Sequence, residues 1–228
     1  EGERAPTVVN VAQVNGKTLL TAPEIYASFV GSTVGITTEV VTTNSWGQPV
    51  SAAAAGSGFV ITNDGYILTN YHVIDGAQSI KVAFVDGTTY DAVLVGGEEE
   101  NDIAVLKIDT TGLTPVIIGD SDNIKVGEQV VAIGNPLGEL TYSMTQGIIS
   151  AKDRSITMQN GEVMNMLQTD TAINSGNSGG PLFDMYGQVI GITSAKLSSS
   201  SSSSEATIEG LGFAIPINDA IKVAQELL

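Results

Sequence analysis

Beyond residue 32 the apolar positions come in short runs with a period near two, separated by small clusters of Gly, Asn and Asp. Such alternation is the mark of half-buried strands. It predicts strands over Ser32–Val41, Ser79–Phe84, Tyr90–Gly96 and Ile103–Ile108. Phe59-Val60-Ile61 and Tyr66-Ile67-Leu68-Thr69 flank Asn63-Asp64-Gly65 and read as a hairpin, because Asn/Asp-Gly supplies the turn. The stretch 44–55 reads as a loop; its four alanines at 52–55 are too few and too poorly bounded for a helix. After a connector around Asp109–Lys125, a second set follows at Glu128–Ile133, Tyr142–Lys152, Val163–Thr169, Leu182–Phe183, Gln188–Ser194 and Leu211–Ile215. Two clusters of short strands predict two small closed sheets with a cleft between them.

Only the two ends depart from this period. Residues 1–20 are weakly patterned and read as an extended arm. Thr21, Pro23 and Glu24 then give a helix start, with Thr as cap and Glu in the capping-box position. Ile25, Tyr26, Phe29 and Val30 supply its apolar side, for packing or, as the minority reading, subunit contact. At the other end Asn218 reads as the cap of a helix through Asp219–Leu228, with Ile221, Val223, Ala224 and Leu227 for packing. The seven serines at 198–204, between Leu197 and Glu205, can bury nothing and read as a structureless insertion.

Composition narrows the partners. The chain has 228 residues, 42 % of them hydrophobic, with 9 Lys+Arg against 25 Asp+Glu and a formal net charge of -16. That excess of negative charge argues against nucleic acid or an anionic membrane surface as the main partner. There are no cysteines and one histidine, which removes disulfide and thiolate chemistry and leaves a poor zinc site. No signal peptide and no apolar span of membrane length is found.

Asn174-Ser175-Gly176-Asn177-Ser178-Gly179-Gly180-Pro181-Leu182 places a serine inside a run of glycines ahead of an apolar segment. It fits Gly-x-Ser-x-Gly, which alone also describes an ordinary surface turn. His72 follows one apolar strand, and Asp102 precedes another. Each alone has a plain reading, a strand-end histidine and a turn aspartate. Together they run His, Asp, Ser, each at the edge of an apolar strand. A serine hydroxyl needs a base, an imidazole supplies one near neutral pH, and a buried carboxylate fixes the tautomer. The order excludes the α/β-hydrolase arrangement, in which the serine comes first.

The sequence resembles the trypsin-like serine proteases of the HtrA (Deg) type over nearly all of residues 24–228. The resemblance rests on Gly56-Ser57-Gly58-Phe59-Val60-Ile61, Gly65-Tyr66-Ile67-Leu68-Thr69-Asn70-Tyr71-His72-Val73 and Asn101-Asp102-Ile103-Ala104-Val105-Leu106-Lys107. Ile133-Gly134-Asn135-Pro136-Leu137-Gly138, Gln168-Thr169-Asp170-Thr171-Ala172-Ile173-Asn174, the nucleophile stretch and Gly210-Leu211-Gly212-Phe213-Ala214-Ile215-Pro216 complete it. It implies an all-β, chymotrypsin/trypsin-like double β-barrel with a short N-terminal helix and a C-terminal helix. The barrels would fall at about 32–110 and 111–216, the helix at 217–228, in one protease domain over 1–228. His72 would be general base and then acid, Asp102 its orienter and Ser178 the nucleophile, with the backbone N–H groups of Gly176 and Ser178 as the oxyanion hole. The family often holds that loop inactive until it is remodelled.

The resemblance also carries expectations about substrate and setting. An acid at the base of a trypsin pocket would stand six residues before the nucleophile, where this chain has Ala172. Asp170 belongs to the Thr-Asp block and sets no basic preference. Ala172, Ile173, Leu211 and Phe213 are expected to form a small apolar pocket that favours small or medium aliphatic residues in unfolded polypeptides. No metal or cofactor is implied. A homotrimer through the N-terminal segment, a PDZ domain downstream, and a membrane anchor upstream or a periplasmic setting in a bacterial cell envelope are implied; Tyr26 and Phe29 are candidates for the trimer contact, and burial against their own barrel explains them equally well. Ser175 departs from the proline common in the family. The competing readings are a chaperone-like or peptide-binding protein with little or latent turnover, and a purely structural envelope domain.

Overall fold

The computed structural model describes residues 18–43, 47–135, 142–157, 163–195 and 211–228. Most of the arm expected over 1–20, the serine tract and the Pro136-Leu137-Gly138 part of one motif lie outside the described residues.

Helix α1 (Ala22–Phe29) starts where the capping pattern put it. The Glu24 carboxylate accepts from the Thr21 backbone N–H at 2.7 Å and from its hydroxyl at 2.8 Å. Those bonds, the backbone one first, hold the exposed Glu24 carboxyl below the usual carboxylate range. Ile25 and Phe29 face inward. The Phe29 ring stacks on Phe183 with centroids 5.0 Å apart, a pairing that adds about 0.5–1.5 kcal/mol beyond area burial. Phe29 is therefore packed against the second barrel, as the packing reading of this helix side expects.

Six strands close the first barrel in the order β1-β2-β3-β6-β5-β4. They are β1 (Thr33–Thr43), β2 (Pro49–Val60), β3 (Tyr66–Thr69), β4 (Ala77–Ala83), β5 (Thr89–Glu98) and β6 (Ile103–Ile108). The second set is β7 (Ile117–Ile118), β8 (Gln129–Gly134), β9 (Ser143–Thr157), β10 (Val163–Thr169), β11 (Pro181–Asp184), β12 (Gln188–Ser194) and β13 (Gly212–Pro216). Its sheet runs β11-β8-β9-β10-β13-β12, and β11 also pairs with β12, which closes a second six-stranded barrel. The two-residue β7 lies parallel to β12 outside that ring. The double barrel is thus the architecture expected from the strand pattern.

The near-continuous apolar runs have a geometric cause. Val60, Ile67, Ala104, Leu106 and Ile108 fill the first barrel with Val34, Ile36 and Val82. Their neighbours Phe59, Leu68, Ile103 and Val105 point the other way, into a shared core with Val131, Ile133 and Phe183 from the second barrel. Successive side chains alternate faces in a strand, so a strand with barrel interior on one face and seam on the other must be apolar at every position. Ile103 through Leu106 are wholly buried. The C-terminal helix α3 (Ile217–Leu227) sends Ile217, Ala220, Ile221 and Ala224 into the same shared core.

Two local expectations need correction. Residues 49–55 are strand, not loop: the alanines pair along β1, with Thr37 opposite Ala55 and Val40 opposite Ala52. The cross-strand ladder outweighs alanine's weak strand preference in a ribbon whose alanines 52–54 stay exposed. Helix α3 begins at Ile217 with Pro216 as its cap residue. Asn218 therefore lies inside the first turn, where its side-chain N–H donates to Asp120 Oδ1 at 2.9 Å. A four-residue helical turn, α2 (Tyr71–Ile74), follows β3 and carries His72.

Tyr142 ties the barrels together ahead of β9. Its hydroxyl donates to the Ala83 carbonyl at 2.7 Å and accepts the Gly35 N–H at 3.2 Å. Gly35 and Ala83 are the last paired residues of β1 and β4, so the phenol continues that ladder with a side chain. Burial pushes its pKa up to about 12. Stability from this hydroxyl is whole below the free phenol value near 10 and is lost as pH rises toward about 12. Tyr142→Phe strands both backbone groups and should lower stability by about 1–3 kcal/mol. Urea unfolding of the two proteins at neutral pH measures this, and tyrosine absorbance during alkaline titration reads the delayed ionisation.

Candidate active site

His72, Asp102 and Ser178 meet on the seam. The first two come from the first barrel, on α2 and just ahead of β6; Ser178 comes from the second, just ahead of β11. His72 Nδ1 lies 2.7 Å from Asp102 Oδ2 and 3.0 Å from Oδ1. His72 Nε2 lies 2.9 Å from Ser178 Oγ. An ionised carboxylate only accepts, so Nδ1 carries the proton and Nε2 is left as the acceptor for the serine hydroxyl. The imidazole keeps 25 % of its side-chain surface in solvent while the carboxylate keeps 2 %.

The buried charge is met by several donors. The His72 backbone N–H donates to Asp102 Oδ1 at 2.9 Å. Ser194, at the end of β12, places its hydroxyl 3.5 Å from Oδ2. Asp102 itself sits at φ 54°, in the left-handed region that Asp and Asn tolerate better than most residues. In that conformation its carbonyl faces the start of α2, where the Tyr71 N–H donates to it at 3.1 Å.

Ser57 of β2 holds the nucleophile loop against the first barrel. Its N–H donates to the Ser178 carbonyl at 2.8 Å and its hydroxyl to the Gly176 carbonyl at 2.7 Å. The same hydroxyl accepts the Asn135 N–H at 2.9 Å. Gly179 adopts φ 84°, and its N–H donates to the Thr193 carbonyl at 2.8 Å. These bonds explain the glycine density: the loop turns inside a closed seam.

The two N–H groups expected to bind an oxyanion are both engaged within the loop. That of Gly176 donates to Asn174 Oδ1 at 2.9 Å, and that of Ser178 to the Asn174 carbonyl at 3.1 Å. Asn177 Oδ1 in turn accepts the Asn174 N–H at 2.9 Å. Asn174 and Asn177 thus clasp the loop in a compact turn.

Of the expected pocket residues, Ala172 is exposed, and its carbonyl accepts from Asn177 Nδ2 at 2.9 Å. Ile173 and Leu211 are half-buried. Ile173 Cγ1 closes on Gly212, where an added Cβ would come within 2.8 Å. Phe213 is buried in the shared core of the two barrels. Asp170 Oδ1 accepts the Ile148 N–H at 2.7 Å, a structural use. Asn70, Ser57, Asn174 and Ser194 carry the site's supporting bonds without having been assigned roles from sequence. The available signal was a polar residue inside an otherwise apolar strand end, as at Thr69-Asn70 and Thr193-Ser194.

A family model described as a trypsin-like peptidase domain matches residues 56–192, which contain His72, Asp102 and Ser178. A "probable periplasmic serine endoprotease DegP-like" of Halomonas elongata is 42 % identical over 99 % of this chain and 48 % of its own length. The "serine protease Do-like HtrA" of Bacillus subtilis is 46 % identical over 77 % of this chain and 40 % of its own. The chain therefore spans less than half the length of these curated relatives. Among solved structures, a variant of the HtrA-type protease AlgW with a decapeptide superposes with a TM-score of 0.81 at 34 % identity, over 91 % of this chain and 67 % of that one. With its two closed barrels and these matches, the chain belongs to the trypsin-like peptidase domain family, in its HtrA/DegP group.

Proposed function

We propose that this chain is a serine endopeptidase that cleaves unfolded or misfolded polypeptides outside the cytoplasm, in a bacterial cell envelope. The observation that carries the reading is the unbroken line of bonds from Asp102 through His72 to Ser178 Oγ across the seam. Ser178 Oγ attacks the scissile carbonyl while His72 Nε2 takes its proton. Asp102 holds the imidazolium, which then protonates the leaving amine. Water repeats the sequence on the acyl-enzyme. The relatives named periplasmic endoproteases support the setting.

Ala172, Ile173, Leu211 and Phe213 form the wall of the pocket for the residue before the cut. With no acid among them, the preference is for small or medium aliphatic side chains. For attack to be productive, Gly176 and Ser178 must turn their N–H groups from Asn174 to the substrate oxygen. For the full-length protein we propose a homotrimer with half-buried Tyr26 as the contact left at the N-terminal segment, a PDZ domain downstream, and either a membrane anchor upstream or a periplasmic setting.

A second reading has one observation behind it: both oxyanion donors are occupied by Asn174. A protein held in that form would bind peptides with little turnover. Fluorophosphonate labelling, paired with digestion of unfolded casein, separates the two for the wild type and Ser178→Ala. Labelling and cleavage should be present in the first and absent in the second, with cuts mapped after Ala, Val or similar residues. A folded wild type that is neither labelled nor active would favour the binding reading, and cuts after Lys or Arg would sink the pocket assignment.

A further inference from the structure

Asn70 stands two residues ahead of His72, has no solvent exposure, and is used by none of the steps above. Its side-chain N–H donates to the Asp102 carbonyl at 3.0 Å, and its Oδ1 lies 3.3 Å from Ser178 Oγ. Burying a carboxamide is costly unless both of its ends are paired. Here one end is spent on the residue that orients the base and the other on the nucleophile.

We propose that Asn70 is a positioning residue of this active site, one planar amide that ties the Asp102 main chain to the Ser178 hydroxyl. Its donor and the Tyr71 N–H together take up the carbonyl of the left-handed Asp102. That holds the carboxylate turned the other way, toward His72. Its acceptor fixes the resting rotamer of Ser178. A serine hydroxyl has one proton and here faces two acceptors, His72 Nε2 at 2.9 Å and Asn70 Oδ1 at 3.3 Å. The Ala195 N–H, 3.1 Å away, fills a lone pair on the same oxygen. The hydroxyl therefore accepts one bond, from Ala195, and offers its single proton to two acceptors, of which the base is the nearer.

The inference rests on the serine-peptidase reading, and its test separates the two. In Asn70→Ala, kcat for a peptide substrate should fall about 10–100-fold, with KM within about twofold of wild type. The fluorophosphonate labelling rate should fall in parallel. Asn70→Asp keeps the shape, so it serves even where the alanine variant misfolds. It removes the donor to Asp102 and adds a second carboxylate near an imidazole already paired with Asp102. The acid limb of its kcat/KM profile should move to higher pH by about half a unit to one unit. That displacement follows from the added charge alone; what separates positioning from packing is a loss of kcat in Asn70→Asp with KM and the unfolding midpoint unchanged. Wild-type kcat and pH profile in both variants would overturn the inference, as would losses confined to KM and thermal stability. An unlabelled, inactive wild type would overturn the peptidase reading and this inference with it. A labelled wild type with an equally labelled Asn70→Ala would overturn the inference alone.

Discussion

Asp102→Asn is expected to lower kcat about ten-thousand-fold near neutral pH while leaving the fold intact. The size follows from the tautomer. In the native site the carboxylate accepts both the His72 backbone N–H and Nδ1–H. An asparagine must keep its oxygen on the backbone N–H, so its NH₂ group faces Nδ1. Nδ1 then becomes an acceptor, the ring proton moves to Nε2, and Nε2 can no longer receive the Ser178 proton. The backbone survives because asparagine takes the left-handed conformation at position 102 as readily as aspartate. Casein digestion across pH, alongside unfolding curves, checks both halves. Activity within tenfold of wild type would remove Asp102 from the role assigned to it.

The second large effect falls on stability. Gly179→Ala should cost about 2–5 kcal/mol, from a left-handed alanine together with overpacking. Gly179 holds φ 84°, and an added Cβ would land on the Ser57 carbonyl oxygen and Thr69 Oγ1. Neither neighbour can yield cheaply, since the two are hydrogen-bonded to each other at 2.7 Å. The strain must also displace Ser178, so labelling should fall with stability. Urea unfolding midpoints measure the first effect; a midpoint like that of wild type would show that the loop has room the structure denies it.

Much of this was legible in the chain itself. The strand runs, the Asn63-Asp64-Gly65 hairpin and the Thr21/Glu24 helix start are local patterns, fixed by neighbours two to four residues apart. The order His, Asp, Ser at strand edges brought out the three residues because catalysis demands those chemical types. What escaped depended on contacts distant in sequence. The alanines of β2 became strand only because β1 pairs with them. Phe29 became core because Phe183, far along the chain, lies under it.

The site divides the same way. Sequence alone determined which side chains could take a proton, hold a base or attack a carbonyl, since those are properties of residue types in a recognisable order. Tertiary structure decided that His72 Nε2 stands 2.9 Å from Ser178 Oγ, that Asn70 bridges Asp102 and Ser178, and that Asn174 occupies the N–H groups of Gly176 and Ser178. Those are matters of tenths of an ångström and of hydrogen-bond direction, and no residue carries them until two barrels close and pack against each other.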